Sequence, residues 1–249
     1  MTTAIAAVRE AGDMIAARAG SIGDVIEKRD RSLVTDLDHR SDALLRRVIG
    51  GRFPGHALLT EESGWSGSGD YCWIIDPLDG THNFIRGLDL FGVQLAILHK
   101  GAFVGSVIYL PAVEKLYAAE SGSGAYVNET RLRVSPRTSL AACTLSFDSG
   151  LKRESERKLD VLRILADEVF NIRMFGASCI LLSLLAQGSI DCAIEFDEKP
   201  WDFAPGVCLI TEAGGAFTTH AGQAPTMEMR AYVASNGLVH AQALKLLHK

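Results

Sequence analysis

Two aspartates stand three positions apart where an apolar run ends, in Trp73-Ile74-Ile75-Asp76-Pro77-Leu78-Asp79-Gly80-Thr81-His82-Asn83-Phe84. Carboxylates at a strand end, three positions apart across a turn, can converge on one point. Converging carboxylates repel unless they are protonated or share a cation. Oxygen donors alone favour a hard ion such as Mg²⁺, which takes few protein ligands and keeps positions open for phosphate oxygens and water. Pro77 stiffens the turn and Gly80 lets backbone N–H groups approach an anion. A helix starting near Thr81 would add N-terminal N–H groups suited to phosphate. Asp-Pro-Leu-Asp-Gly is also a good plain turn with capping aspartates, and this segment alone does not choose between the two.

Further acids sit at similar places. Glu61-Glu62 follows the apolar residues 57–59, Glu195 ends an apolar run over 191–196, and Trp201-Asp202 precedes the apolar stretch from Phe203 to Ile210. Each has a bland reading: a solvated pair, a strand end, a helix cap. Taken together they are four acidic strand or helix termini that could meet, and spacing goes no further than that.

The set Thr60-Glu61-Glu62, Trp73-x-x-Asp76-Pro77-Leu78-Asp79-Gly80-Thr81-x-Asn83-Phe84 and Trp201-Asp202 with Glu212-Ala213-Gly214-Gly215 resembles the inositol monophosphatase family, in order and along essentially the whole chain. The resemblance implies a magnesium-dependent, lithium-sensitive phosphatase with two or three Mg²⁺ per site. Glu61 and Asp76 with the Leu78 carbonyl would hold the first ion, Asp76, Asp79 and Asp202 the second, and Glu61 would face a weaker third. Gly80 and Thr81 would bind phosphate through backbone N–H groups, Thr81 would orient the attacking water, and Asp38, in Ser32-Leu33-Val34-Thr35-Asp36-Leu37-Asp38, would pair with Thr81. Gly176, Ala177 and Ser178 would touch the leaving group and Glu195 would grip its hydroxyls. Residues 28–30 would belong to a loop over the third metal. The departures are His82, Thr60 before Glu61, and Asp197-Glu198-Lys199-Pro200 before Trp201; none removes a metal ligand, and the last bears on substrate identity.

The elements that must position these residues follow from periodicity. Apolar residues at helical spacing predict helices over 2–19, ended by Ser21-Ile22-Gly23, and over 36–49, stopped by Gly50-Gly51. Short apolar runs separated by Gly and Pro predict strands over 57–60, 73–75, 91–98, 103–110 and 115–118. From about residue 135 strand and helix alternate: strands over 143–147, 172–175, 191–196, 216–218 and 232–234, helices over 156–170, 177–187, 202–213 and from about 238, the last capped by Ser235 or Asn236. This is a layered α/β (α+β) fold, and the resemblance makes it an α-β-α-β-α sandwich of the sugar-phosphatase type. It reads as one domain over 1–249 with abutting halves 1–134 and 135–249, and their join is the natural place for a site.

Composition restricts the classes. With 249 residues, 47% hydrophobic and 22% charged, the chain can bury a sizeable core. A net charge of −5 gives no sequence-wide nucleic-acid footprint, so an acidic enzyme acting on anionic esters would neutralise its substrate with bound cations. Five scattered cysteines, none in a C-x-x-C pair, read as reduced thiols, and no apolar run approaches the ~20 residues of a membrane span. The expectation is a cytoplasmic enzyme, by resemblance a homodimer, taking a small phosphate ester and neither membrane nor nucleic acid. The leading substrates are phosphate monoesters of polyols or sugars, inositol 1-phosphate first. Histidinol phosphate, fructose 1,6-bisphosphate and an adenine nucleotide 3′-phosphate are rivals, and a non-catalytic interaction protein retaining the fold is a reading of another class.

Overall fold

The computed structural model describes residues 1–18, 25–27 and 33–247. Ser21-Ile22-Gly23, the 28–30 loop and Ser32 lie outside the described residues. Helix α1 (Thr2–Ala16) buries the spaced face Ala4, Ala7, Val8, Ala11 and Ile15 and is shorter than periodicity suggests. A two-stranded ribbon, β1 (Val25–Glu27) with β2 (Leu33–Thr35), leads into α2 (Asp36–Arg52). That helix runs straight through Gly50-Gly51, contrary to the expected stop. Neither glycine has a positive φ, and Phe53 beyond them stacks on His56 and Trp73, so aromatic burial carries the chain on until Pro54 breaks it.

Strands β3 (Ala57–Thr60), β4 (Gly64–Ser66), β5 (Tyr71–Asp79), β6 (Gly92–His99), β7 (Ala102–Leu110), β8 (Lys115–Glu120), β9 (Gly124–Val127) and β10 (Thr130–Arg131) form one sheet in the order β10-β9-β8-β7-β6-β5-β3-β4. A smaller sheet has the order β12-β11-β13-β15-β14, from β11 (Thr144–Phe147), β12 (Asn171–Arg173), β13 (Cys192–Glu195), β14 (Ala216–Thr219) and β15 (Tyr232–Ser235). Between the sheets lie α5 (Ser178–Ala186) and α6 (Pro200–Glu212), whose buried residues share one core with both. A Cβ on Gly206 would stand 2.3 Å from Leu182, so only glycine lets these helices approach so closely. Helices α1 and α2 cover the outer face of the large sheet, and α4 (Ser155–Glu168) and α7 (His240–Leu246) the outer face of the small one, each over its own core. The layers run α-β-α-β-α. All five cysteines are buried free thiols, and no described helix is long and apolar enough to cross a membrane.

Candidate active site

The large sheet delivers the first acids. β3 and β5 are parallel neighbours with Thr60 opposite Ile75, so Glu61 and Asp76 emerge side by side. The Glu61 N–H donates to the Ile75 carbonyl (3.1 Å). β5 does not stop at Asp76 but runs on to Asp79 with a register shift against β6 between the two aspartates. Such a bulge re-aims side chains, and here it turns Asp76 and Asp79 towards the same space. Gly80 follows at φ +82°, and a Cβ there would meet the Leu90 carbonyl at 2.6 Å. The one-and-a-half-turn helix α3 (Thr81–Ile85) starts from it.

The third acid comes from the middle layer. Asp202 is not the cap of α6 but lies inside its first turn, because Pro200 opens the helix two residues earlier. Its Oδ2 accepts the Lys199 N–H (2.9 Å). One carboxylate oxygen from each of Asp76, Asp79 and Asp202 lies within 4.8 Å of the other two, and among the described residues no ion pair reaches any of these acids. Asp76 is pushed well above the usual carboxylate range by burial, then by the charges of Glu61, Asp79, Asp202 and Asp38. Burial raises Asp79 against the hydrogen bonds from Cys179 and Ser178, and burial with the Asp79 charge takes Asp202 up to about 6. Three acids that cannot all ionise comfortably alone, offering oxygen donors only, are suited to a hard divalent cation.

Thr81 Oγ1 lies 2.9 Å from Asp38 Oδ1 and 2.9 Å from the Leu78 carbonyl. Asp38 Oδ2 accepts from the N–H and hydroxyl of Thr35, both at 2.7 Å, in the capping box that starts α2. One buried carboxylate thus joins a helix start to the hydroxyl beside the acid cluster. His82 is exposed, whereas the Glu62 side chain is 3% exposed with His39 Nδ1 at 3.9 Å, against the bland reading of a solvated pair.

On the leaving-group side Ser178 has a second tie, to the acid cluster. Its hydroxyl donates to Asp79 Oδ2 (3.0 Å) and accepts from Gln94 Nε2 (2.7 Å), and the Cys179 N–H also donates to Asp79. Ser178 thus helps hold a cluster acid while it also lines the cleft. Gln94 was not singled out in the sequence. It sits opposite Asp76 on β6 and donates to the Trp201 carbonyl (3.1 Å) as well, tying the starts of α5 and α6 to the sheet. Its signal was an amide inside the apolar run 91–98.

A cleft of about 190 Å³ opens beside Asp79 and Asp202, lined further by Gly176, Ala177, Ser178 and Glu195. At its far wall a second cluster, Asp148, Glu195 and Glu198, again brings carboxylate oxygens within 4.8 Å of one another. Glu195 is pushed well up by burial and then by Asp148, against Lys158; Glu198 is pushed up by burial, Asp202 and Glu195, and hydrogen-bonds Asp202. Asp148 and Lys158 also escaped the sequence reading. They form a 2.7 Å ion pair with side chains 5% and 1% exposed, foreshadowed only by a lysine three residues before Val161 on the apolar face of α4. At the chain's end, Asn236 Oδ1 accepts the Leu238 and Val239 N–H groups (3.0 and 3.1 Å) while Val239 is the cap of α7, so Asn236 closes the turn before that helix.

Buried carboxylates converge beside a cleft between the two sheets, an oxygen-only donor set suited to a hard divalent cation. The sequence pattern of the inositol monophosphatase family matches residues 1–249, and the chain belongs to that family. The Nus factor SuhB of Pseudomonas aeruginosa is 35% identical over 247 residues (95% of this chain, 91% of that one). The fructose-1,6-bisphosphatase/inositol-1-monophosphatase of Thermotoga maritima is 30% identical over 249 residues (97% and 93%). The crystal structure of the extragenic suppressor protein suhB from Bartonella henselae superposes with a TM-score of 0.96 at 30% identity (100% and 98%). An IMPase/NADP phosphatase complexed with Mg²⁺ and phosphate superposes at 0.84 and 27% identity (96% and 90%). The family and its clustered acids support a phosphatase that binds divalent metal and takes a phosphate ester.

Proposed function

We propose that this chain is a Mg²⁺-dependent phosphatase of small hydroxylated alcohols, polyols and sugars among them, for which inositol 1-phosphate is the reference ester. The observation that carries the reading is the convergence of Asp76, Asp79 and Asp202, which no ion pair reaches among the described residues. These three would hold the cations, two or three in number, with Glu61 and the Leu78 carbonyl completing the set. When bound, the cations supply charge neutralisation to the phosphate dianion and acidify the attacking water.

The chain's own groups do the rest. Asp38 takes the Thr81 proton in a hydrogen bond, leaving the Thr81 oxygen free to accept from water and aim it; Glu61 stands on the same edge as the base-side acid. Gly80 and Thr81 offer backbone N–H groups to phosphate, and Gly176, Ala177, Ser178 and Glu195 border the alcohol. No covalent nucleophile is required: the nearest thiol, Cys179, is buried and its pKa is pushed well up by burial and by Asp79. Phosphate release from a panel of monoesters should need Mg²⁺ and vanish in excess chelator, and inhibition by millimolar Li⁺ belongs to the same reading, as do a homodimer and a cytoplasmic location. Full turnover in excess EDTA would overturn it. The SuhB relatives named Nus factors favour a second reading, an interaction role on the same fold. A cellular phenotype rescued by Asp76→Asn as well as by the parent chain would select it.

A further inference from the structure

The far wall of the cleft is built by one face of the small sheet. Ser146 on β11 pairs with Ala193 on β13, Glu195 lies two residues further on that strand, and Tyr232 on β15 pairs with Glu195. Alternation therefore puts Ser146, Glu195 and Tyr232 on the same side, facing the cleft. Three polar atoms there are buried without a hydrogen-bond partner: Glu195 Oε1, the Tyr232 hydroxyl and the Ser146 hydroxyl, on residues 4%, 0% and 0% exposed. Buried polar atoms left unpaired are costly, and three on one wall of a cleft call for a common partner. Around them stand three carboxylates and one ammonium. Lys158 is spent on Asp148, where its Nζ also donates to the Gly150 carbonyl (2.9 Å). Glu195 and Glu198 form no ion pair among the described residues.

We infer that this wall binds a protonated amine, so that the preferred leaving group is a small amino alcohol rather than a neutral polyol. The inference rests on the phosphatase reading of the same cleft: phosphate lies at the three aspartates and the ammonium at Glu195, Tyr232 and Ser146, with Glu198 joining the two clusters through Asp202. A neutral polyol would offer hydroxyls but leave Glu195 and Glu198 without a counter-charge. An ammonium supplies that charge and three donors for carboxylate, phenol and serine oxygens. A metal ion is the poorer occupant, since the Lys158 ammonium already touches the same cluster and repels a divalent ion more than a monovalent one. The volume of about 190 Å³, below the roughly 300–1,000 Å³ of drug-sized pockets, suits a leaving group of a few heavy atoms.

The test compares 2-amino-1,3-propanediol 1-phosphate with glycerol 1-phosphate, which differ by one ammonium in place of one hydroxyl. With Mg²⁺ the amino ester should have a kcat/KM at least about tenfold higher. Glu195→Gln and Glu198→Gln should each bring that ratio towards one, whatever they do to the absolute rates. Independently of turnover, the product 2-amino-1,3-propanediol should raise the Tm of the Mg²⁺-loaded protein more than glycerol does, and this difference should disappear in both variants. Equal turnover of the two esters, or a ratio that survives both substitutions, overturns the ammonium site while leaving the phosphatase intact. A further divalent ion detected by equilibrium dialysis and lost in Glu195→Gln would also overturn it, assigning the wall to metal. Failure of both esters and of inositol 1-phosphate to release phosphate would strike the underlying reading instead.

Discussion

The two acidic clusters of the cleft contain the same number of carboxylates and solve their repulsion differently. Asp148, Glu195 and Glu198 are met by the chain's own cation, Lys158, buried to 1% exposure on α4 and held by Asp148 and the Gly150 carbonyl. Among the described residues Asp76, Asp79 and Asp202 have no ion pair: their donors include the Ser178 hydroxyl and the Lys199 N–H, and the Lys199 charge acts on Asp202 only as a lesser influence. A cluster with a resident ammonium has its charge partly compensated on folding. A cluster without one stores repulsion that an external cation releases. The difference lies in what removing one charge does: loss of Asp76 relieves the fold, whereas loss of Asp148 or Lys158 strands its buried partner.

Asp76→Asn is the largest single blow to activity and the sharpest test of that contrast. It removes the acid whose charge all its neighbours oppose, and phosphate release at saturating Mg²⁺ should fall about 10³-fold. Glu62→Gln should cost far less. In chelator the same Asp76→Asn chain should unfold at higher urea than the parent, since a strained site is relieved. A less stable variant would mean that the three aspartates are not in conflict.

Lys158→Met probes the other end. It leaves Asp148 buried without its cation and should cost about 3–5 kcal/mol of stability in urea unfolding. The paired change Asp148→Asn with Lys158→Met should recover much of that loss. If the single and double variants unfold alike, the ion pair is not what compensates this cluster.

Gln94→Leu should act through position alone. The amide joins Ser178, and so Asp79, to the Trp201 carbonyl, and its loss should reduce kcat about tenfold. KM should change little and Mg²⁺ affinity should weaken, because both helix starts that frame the metal acids are released. An unchanged Mg²⁺ titration with lowered kcat would show that Gln94 serves something other than metal positioning.

The contrast also explains what the sequence made legible. Asp76, Asp79, Glu61 and Asp202 stand at ends of apolar runs, where local pattern and acid coincide, and the layered fold follows from runs of the right length. Asp148 also ends an apolar run, 143–147, without drawing notice, and Glu198, Lys158 and Gln94 had no such marker. Their meaning arises from partners 10 to 107 residues away, as Asp148–Lys158 and Gln94–Trp201 show, and no window of local pattern contains that. Gly50-Gly51 misled in the other direction. The pair reads as a helix stop, but the aromatic stack of Phe53, His56 and Trp73 lies beyond it and tertiary burial prevailed.

The smallest expected effect is a pH dependence whose sign separates the clusters. Burial raises Asp76 and Asp79, and Asp202 reaches about 6 in the folded chain without a cation, against about 4 when unfolded. A carboxylate with a raised folded pKa holds more protons in the native state, so its contribution is fully present below pH ~4 and is lost as pH rises through the folded value. In chelator, Tm should therefore decline between about pH 5 and pH 7, by a few degrees at roughly 2–4 °C per kcal/mol for a chain of this size. Saturating Mg²⁺ should flatten or reverse that slope, because ion binding requires the deprotonated acids and grows stronger as they ionise. Glu195, also raised by burial, titrates in both conditions, so the comparison with and without Mg²⁺ cancels much of its share. Asp202→Asn should reduce the chelator slope, and Lys158→Met should leave the difference between the two conditions in place. A slope unaffected by Mg²⁺ would put the titrating acids at the far wall and break the division between the two clusters.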